Sequence, residues 1–307
     1  MKNKFNMKIF VIGVIVIMST LGIGSLFLFK EINEEKHFTM DEINEIQVNM
    51  TSEAVHIIRT EESNEVKFHY YGKSMQNIKL ASEINNKAVV VAAKRQHEGP
   101  IPEKDMVLDI YIPEKYGKNL SINLLSGAVK MDSFDLASFI YSNRSGKLET
   151  EKISANNISM NTYSGNINIK KIDAKELEIK SLSAAINMEL CITEKARIEN
   201  SSGSIILKNS SGNFDLKGKS GKVMVDYKEF KNQNINIETL SGSVTLELPR
   251  TAEFFIEAET SSGKFQTDFP IKMGENTDKR NIRGEIGGKN NKVSIKTSSG
   301  SMKILKK

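Results

Sequence analysis

Residues 158–190 read ISMNTYSGNINIKKIDAKELEIKSLSAAINMEL. Ser164-Gly165 and Ser183-Ala184 stand 19 residues apart in it, and apolar residues take matching places around each. Ile158 and Met160 precede the first pair, and Leu177 and Ile179 the second; Ile167 and Ile169 follow the first, and Ile186 and Met188 the second. Apolar residues two apart mark a β-strand with one buried face. The same register repeated at a fixed period marks a repeat array.

Working outward, the Ser-Gly pair returns at Ser126, Ser145, Ser164, Ser183 (with Ala184), Ser202, Ser220, Ser241, Ser262 and Ser299, in steps of 19, 19, 19, 19, 18, 21, 21 and 37 residues. Three residues after the serine stand Val129, Leu148, Ile167, Ile186 and Ile205, and eight after it Phe134, Ile153, Ile172 and Cys191. Each repeat therefore reads as a strand, a Ser-Gly corner, a second strand and a turn. Glycine suits a corner because it lacks Cβ; Ala184 implies that the corner is either not strictly left-handed or strained there. Hairpin folds have no reason to hold residue types in columns 19 apart, which disfavours an antiparallel sandwich. Parallel crossovers are right-handed. The expectation is an all-β, right-handed parallel β-solenoid with about 19–21 residues per coil. Coils about 4.8 Å apart would give nine corners a length of roughly 45 Å. The polar column Asn143, Thr162, Ser181 and Asn200 predicts hydrogen-bonded ladders.

The solenoid is expected over 114–307, with an insertion at 268–289 that holds Pro270 and four glycines. The C-terminal strand, with Lys303, Lys306 and Lys307, reads as an exposed edge that lysine protects from further pairing. Residues 41–113 read as an irregular β cap, in which Ser52-Glu53 holds the corner place without glycine. Ile9 to Phe29 carry no charge, and 21 helical residues span one hydrocarbon core. Lys2, Lys4 and Lys8 before the run place residues 1–8 in the cytoplasm and the rest outside. The rival reading is a cleaved signal peptide, but the run ends in Leu26-Phe27-Leu28-Phe29 without an Ala-x-Ala pattern, so residues 9–29 are expected as one uncleaved transmembrane helix, and 30–40 as a juxtamembrane linker. The chain is then a single-pass cell-membrane protein whose C-terminal domain is extracytoplasmic.

The sequence offers little chemistry. The charge of +5 includes the three N-terminal lysines, so the remainder is near balance and is not a nucleic-acid footprint. The one cysteine, Cys191, forbids an intramolecular disulfide and lies in an inward column, as a buried small hydrophobe. His37, His56, His69 and His97 precede the regular repeats without metal-ligand spacing. Asp135 and Asp173 share a column, but Ser154 stands in the coil between them; Lys170 interrupts Asp132, Glu151 and Glu189. Carbohydrate-active chemistry would need carboxylates on adjacent coils. Nine repeated serines with no paired histidine are corners and not nucleophiles. No catalytic, cofactor-binding or metal residue is expected.

The anchor, the Ser-Gly strand repeats and the closing Gly284-Glu-Ile-Gly-Gly288 followed by Val-Ser-Ile-Lys-Thr-Ser-Ser-Gly-Ser resemble the bacterial candidate-adhesin family of β-strand-repeat proteins, a domain of unknown function. Within it the chain is similar to the LiaG-type membrane proteins linked with cell-envelope stress operons. The resemblance covers Ile43 to Leu305 and implies no catalytic residues. The expected function is a non-enzymatic, membrane-anchored binding or scaffold protein of the cell envelope, with a cell-wall polymer as one candidate partner. The alternative is an accessory of an envelope stress response that contacts a membrane sensor. A carbohydrate-active enzyme is the third reading.

Overall fold

The computed structural model describes residues 29–307 apart from 62, 98, 100 and 275–277. The expected transmembrane segment therefore lies outside the described residues, save Phe29. Among the described residues, no helix is long and apolar enough to cross a membrane. The regular structure of the described residues is all β apart from a single 3-10 turn, Met40–Glu42.

The coils stack in parallel with the predicted register. Strand Ile167–Ser183 pairs with Leu148–Thr162 on one side and Ile186–Ser202 on the other, so that Ile153, Ile172 and Cys191 align, as do Met160, Ile179 and Ile198. Within one coil Ile167, Ile169, Ile172, Ala174, Leu177 and Ile179 are buried, and the alternation breaks at Lys170-Lys171 and Lys175-Glu176. A parity break in a strand is a bend. Each coil therefore has three short faces around one core, where the sequence suggested two strands and a turn. The 18-residue step has its own cause. The register shifts between Ile192 and Lys195: Thr193 and Glu194 lie opposite Gly212 alone, at φ +128°, so a bulge absorbs the one extra residue.

The corner glycines serve the stacking more than the turn. Of the nine corners, only Gly127, Gly203 and Gly221 have a left-handed φ. A Cβ on Gly146 would instead lie 2.1 Å from the Gly127 carbonyl oxygen, and one on Gly165 1.8 Å from that of Gly146. The column continues through Gly203, Gly221, Gly242, Gly300 and Gly263, each backed within 2.2 Å by the carbonyl oxygen of the adjacent coil. The buried polar column beside it does not form the expected ladder. Asn143 and Asn200 each donate from Nδ2 to the corner carbonyl of the previous coil, Gly127 O at 2.9 Å and Ala184 O at 2.8 Å. The Gly165 and Gly263 N–H groups donate to Thr162 Oγ1 and Thr260 Oγ1. A buried corner backbone group that the sheet ladder does not pair must find a side-chain partner. Thr239 and Thr297 alone in this column bond to each other, at 3.0 Å.

Both ends depart from simple sequence order. Strands Glu45–Met50 and Ala54–Thr60 lie between the coil of Asn119–Ser126 and an outer layer made by Ala88–Arg95 and Glu103–Pro113. At the other end Lys292–Thr297 and Met302–Lys306 insert between the Ser241 and Ser262 coils. The C-terminal strand is therefore paired on both sides and is not the edge that its lysines suggested. Both flanks of its backbone are hydrogen-bonded, which a chain terminus needs to resist fraying. The outer layers are closed by antiparallel strands. Ile78–Asn85 pairs with Ala88–Arg95, Glu65–Ser74 with Glu103–Pro113, and Asn281–Ile286 with Phe254–Thr260. The 268–289 insertion thus folds back as a cap. The expected linker 30–40 is also a strand: Lys30–Thr39 pairs along its whole length with Glu65–Ser74, from Lys30 opposite Ser74 to Thr39 opposite Glu65.

Five aromatic side chains close the core at the C-terminal end. Phe214, Tyr227, Phe230, Phe254 and Phe269 meet edge to face in sequence, with centroids 4.7 to 6.3 Å apart. Cys191 is fully buried, and burial pushes its thiol up to about 12. A thiol so placed is inert at neutral pH. Ellman's reagent added to the folded protein at pH 8 should leave Cys191 unmodified and titrate one thiol in denaturant; fast reaction without denaturant would contradict the buried column.

Candidate functional site

The sequence directs attention to carboxylates and histidines, and the structure separates them. Asp135 and Asp173 lie on either side of Ser154, two coils apart, and Asp135 is held by Lys152 at 2.6 Å. That contact keeps the Asp135 carboxyl below its ordinary range. Lys170 bonds Glu151 at 2.8 Å, so a cation interrupts the acidic column of Asp132, Glu151 and Glu189 along a shallow groove of about 580 Å³. His56 Nδ1 lies 2.9 Å from Asp109, and His69 lies 2.8 Å from Asn33 Oδ1. Among the described residues, no three His, Cys, Asp or Glu side chains converge as a metal site.

The densest polar cluster lies under the cap and is not visible in the sequence. Glu53, in the glycine place of the cap corner that stacks against Gly127, is fully buried. Its carboxylate accepts from Thr51 N at 2.9 Å, Ser52 N at 2.8 Å, Tyr70 Oη at 3.1 Å and Arg95 Nη2 at 2.7 Å. Arg95 also holds Glu103 at 2.8 Å. Burial pushes the Glu53 carboxyl up, but Arg95 and the backbone donors outweigh it and hold the group below its usual value. Every donor and acceptor in this cluster faces another, so it leaves nothing for a ligand. It pins the outer cap layer to the first coil.

The remaining feature is the ridge formed by the corners themselves. Nine four-residue segments line it: Leu125–Ala128, Arg144–Lys147, Tyr163–Asn166, Leu182–Ala185, Ser201–Ser204, Lys219–Lys222, Leu240–Ser243, Ser261–Lys264 and Ser298–Ser301. All corner serines are exposed except the half-buried Ser126. The hydroxyls of Ser145, Ser183, Ser241 and Ser299 have no protein partner among the described residues, while Ser202 and Ser220 lie 3.4 Å apart. Four large apolar side chains stand in the column just before the serine. They are Leu125, 50% exposed, Tyr163, 55%, Leu182, 42%, and Leu240, 56%, half of the large hydrophobic residues that the described surface leaves this open. The Arg144 guanidinium lies over the Tyr163 ring, 5.9 Å from its centroid.

Charge along the ridge has one sign. Its segments contain Arg144, Lys147, Lys219, Lys222 and Lys264, and no Asp or Glu, although the chain as a whole has 38 acidic residues in 307. The carboxylates beside the ridge are already engaged: Glu149 by Lys147, Glu199 by Arg197, Glu238 by Lys217 and Glu259 by Lys296. The other four ridge cations have no carboxylate partner among the described residues. The arrangement supplies hydroxyls, cations and apolar patches along a straight line, without a nucleophile–base pair.

Comparison with known proteins agrees with this architecture. The family profile described as Toastrack DUF4097 matches residues 43–305. No curated protein matches. Among solved structures, a candidate lipid-binding protein of Parabacteroides distasonis is similar in fold, at 14% identity and TM-score 0.50 over 88% of this chain and 96% of the other. Candidate adhesins of Bacteroides fragilis and Parabacteroides merdae, each 14% identical, align over 90% and 89% of this chain and 97% and 95% of theirs, with TM-scores of 0.47 and 0.43.

Proposed function

The chain belongs to the Toastrack DUF4097 family, and from that premise we propose that it is a non-enzymatic binding scaffold of the cell envelope, held in the membrane by residues 9–29 with its β-solenoid outside. The observation that carries the reading is the exposed corner ridge, a long surface equipped to bind along its length and lacking groups to cut or transfer bonds. The N-terminal sequence supports the anchor: an uncharged run of 21 residues follows Lys2, Lys4 and Lys8.

Protease treatment of intact spheroplasts expressing the C-terminally tagged full chain tests the topology. The tag should be lost from outside, and the uncut chain should resist carbonate extraction at its full mass. A protected tag, or a free product that begins after Phe29, would overturn the anchored reading.

One observation favours the second reading, contact with a membrane sensor. Strand Lys30–Thr39 starts directly after the apolar run and is paired from its first residue. Such a strand would hold the cap close to the bilayer, within reach of a neighbouring membrane protein. Photocrosslinkers in the cap should then capture a membrane protein.

A further inference from the structure

We infer that the corner ridge is a docking surface for a linear polyol-phosphate polymer laid along the stacking axis. The inference rests on the binding-scaffold reading, but not on the membrane anchor.

The shape of the ridge suits an extended ligand. Adjacent coils pair residue to residue, with Ser145 against Ser126, Ser202 against Ser183 and Ser241 against Ser220. The nine corners therefore form one file about 4.8 Å per step, or roughly 40 Å from end to end. Nothing encloses it, so a compact ligand would leave most of it unused. An extended chain would touch every coil.

Charge selects the sign of that chain. Arg144, Lys219, Lys222 and Lys264 are exposed and lack carboxylate partners, and no acidic residue interrupts the file. At the chain's average acidic content four or five would be expected in 36 positions. In stacking order, with the Ser299 coil between those of Ser241 and Ser262, the cations fall on the second, sixth and ninth corners. They are separated by three or four steps, roughly 14 to 19 Å, so each cation meets about every second or third charge of a chain whose charges are set apart by short uncharged links. A polymer of phosphodiesters joined by polyols has that pattern. Its single charge per phosphate persists at every physiological pH. Lysine, arginine and serine hydroxyls are the donors that proteins use for phosphate oxygens.

The intervals between cations suit the uncharged chain. Tyr163 and Leu182 lie on consecutive corners between Arg144 and Lys219, and Leu240 follows Lys222. Their carbon surfaces can cover polyol C–H groups, while the free hydroxyls of Ser183 and Ser241 meet polyol hydroxyls. Arg144, held over Tyr163, is partly ordered before any ligand arrives.

The test uses the detergent-solubilised full chain and poly(glycerol phosphate) of defined length, with monomeric glycerol phosphate, neutral dextran and a polyuronate as comparison probes. Calorimetry should show binding of poly(glycerol phosphate), weak binding of polyuronate and none of dextran or monomer. Affinity should fall steeply with salt, as it does when a protein displaces counterions from a polyanion. The quadruple variant Arg144→Glu, Lys219→Glu, Lys222→Glu, Lys264→Glu alters exposed side chains only and should bind roughly tenfold or more weakly. A matched variant at four exposed lysines off the ridge, Lys175→Glu, Lys195→Glu, Lys208→Glu and Lys231→Glu, has the same net charge and should bind nearly as wild type. Equal losses in the two variants would reduce the effect to net charge and overturn the ridge. Absence of polymer binding by the wild type would overturn the ligand class, and polyuronate binding as tight as the phosphate polymer would overturn the phosphodiester assignment.

Discussion

Gly165→Val is expected to abolish stable folding of the central coils, whereas Gly117→Ala should leave stability unchanged. The Cβ of any residue at 165 would lie 1.8 Å from the Gly146 carbonyl oxygen and 2.8 Å from its carbon, both backbone atoms of a neighbouring coil. No rotamer relieves a clash with backbone. The coils on both sides are held by parallel ladders over Leu148–Thr162 and Ile186–Ser202, so separation would break hydrogen bonds along the whole coil. Overpacking costs about 1 to 3 kcal/mol where side chains can shift, and more here because the clash is with backbone. A Cβ on Gly117 would meet no atom within 4 Å, and the residue lies on the exposed surface, so Ala there should stay within about 0.5 kcal/mol of wild type. Urea unfolding followed by far-ultraviolet circular dichroism checks both. Because each coil rests only on its neighbours, Gly165→Val should also split the transition into two, one for each half of the stack.

Glu53→Gln should be the most damaging conservative change in the cap. The carboxylate is fully buried and accepts four hydrogen bonds, one of them from Arg95 at 2.7 Å. Removing one partner of a buried pair leaves the other charge uncompensated, at about 3 to 5 kcal/mol; Arg95 retains Glu103 at 2.8 Å, which argues for the lower end, about 3 kcal/mol. The pH dependence follows in sign. The folded carboxyl titrates below its ordinary value of 4.5. Its contribution is therefore fully present above the unfolded value and disappears as pH falls through the lower, folded one. Wild type should lose cap stability below pH ~4.5, and Glu53→Gln should lose most of that dependence. Thermal melts between pH 3 and 7 measure the difference. A variant with an undiminished acid slope would show that Glu53 is not the group responsible.

The Ser-Gly file and its flanking apolar columns are legible in the sequence because each coil repeats the same burial problem. Ile167, Ile172 and Leu177 recur as Ile186, Cys191 and Ala196 and stack as the columns imply. The order of the terminal coils is not legible. Val293, Ile295, Met302 and Ile304 fit the common pattern, so the sequence places that coil beside any other, and only the pairing puts it between the Ser241 and Ser262 coils. Strand Lys30–Thr39 escapes a periodic reading because KEINEEKHFT has only Ile32 and Phe38 as apolar members, and its pairing supplies what its pattern lacks. Sequence alone assigns the corner glycines to the turn, and most of the column shows a stacking requirement instead. The ridge can be counted from the sequence. Periodic reading misses it by following the buried columns, while the absence of acidic residues lies in the exposed ones.

Hydrogen–deuterium exchange of the full chain with and without poly(glycerol phosphate) tests the ridge most directly. The corner segments from Leu125–Ala128 through Ser298–Ser301 should gain protection together, while the cap strands Glu65–Ser74 and Glu103–Pro113 and the groove along Asp132, Glu151 and Glu189 exchange as before. Protection confined to the cap or to that groove, with the corner file unchanged, would contradict the account.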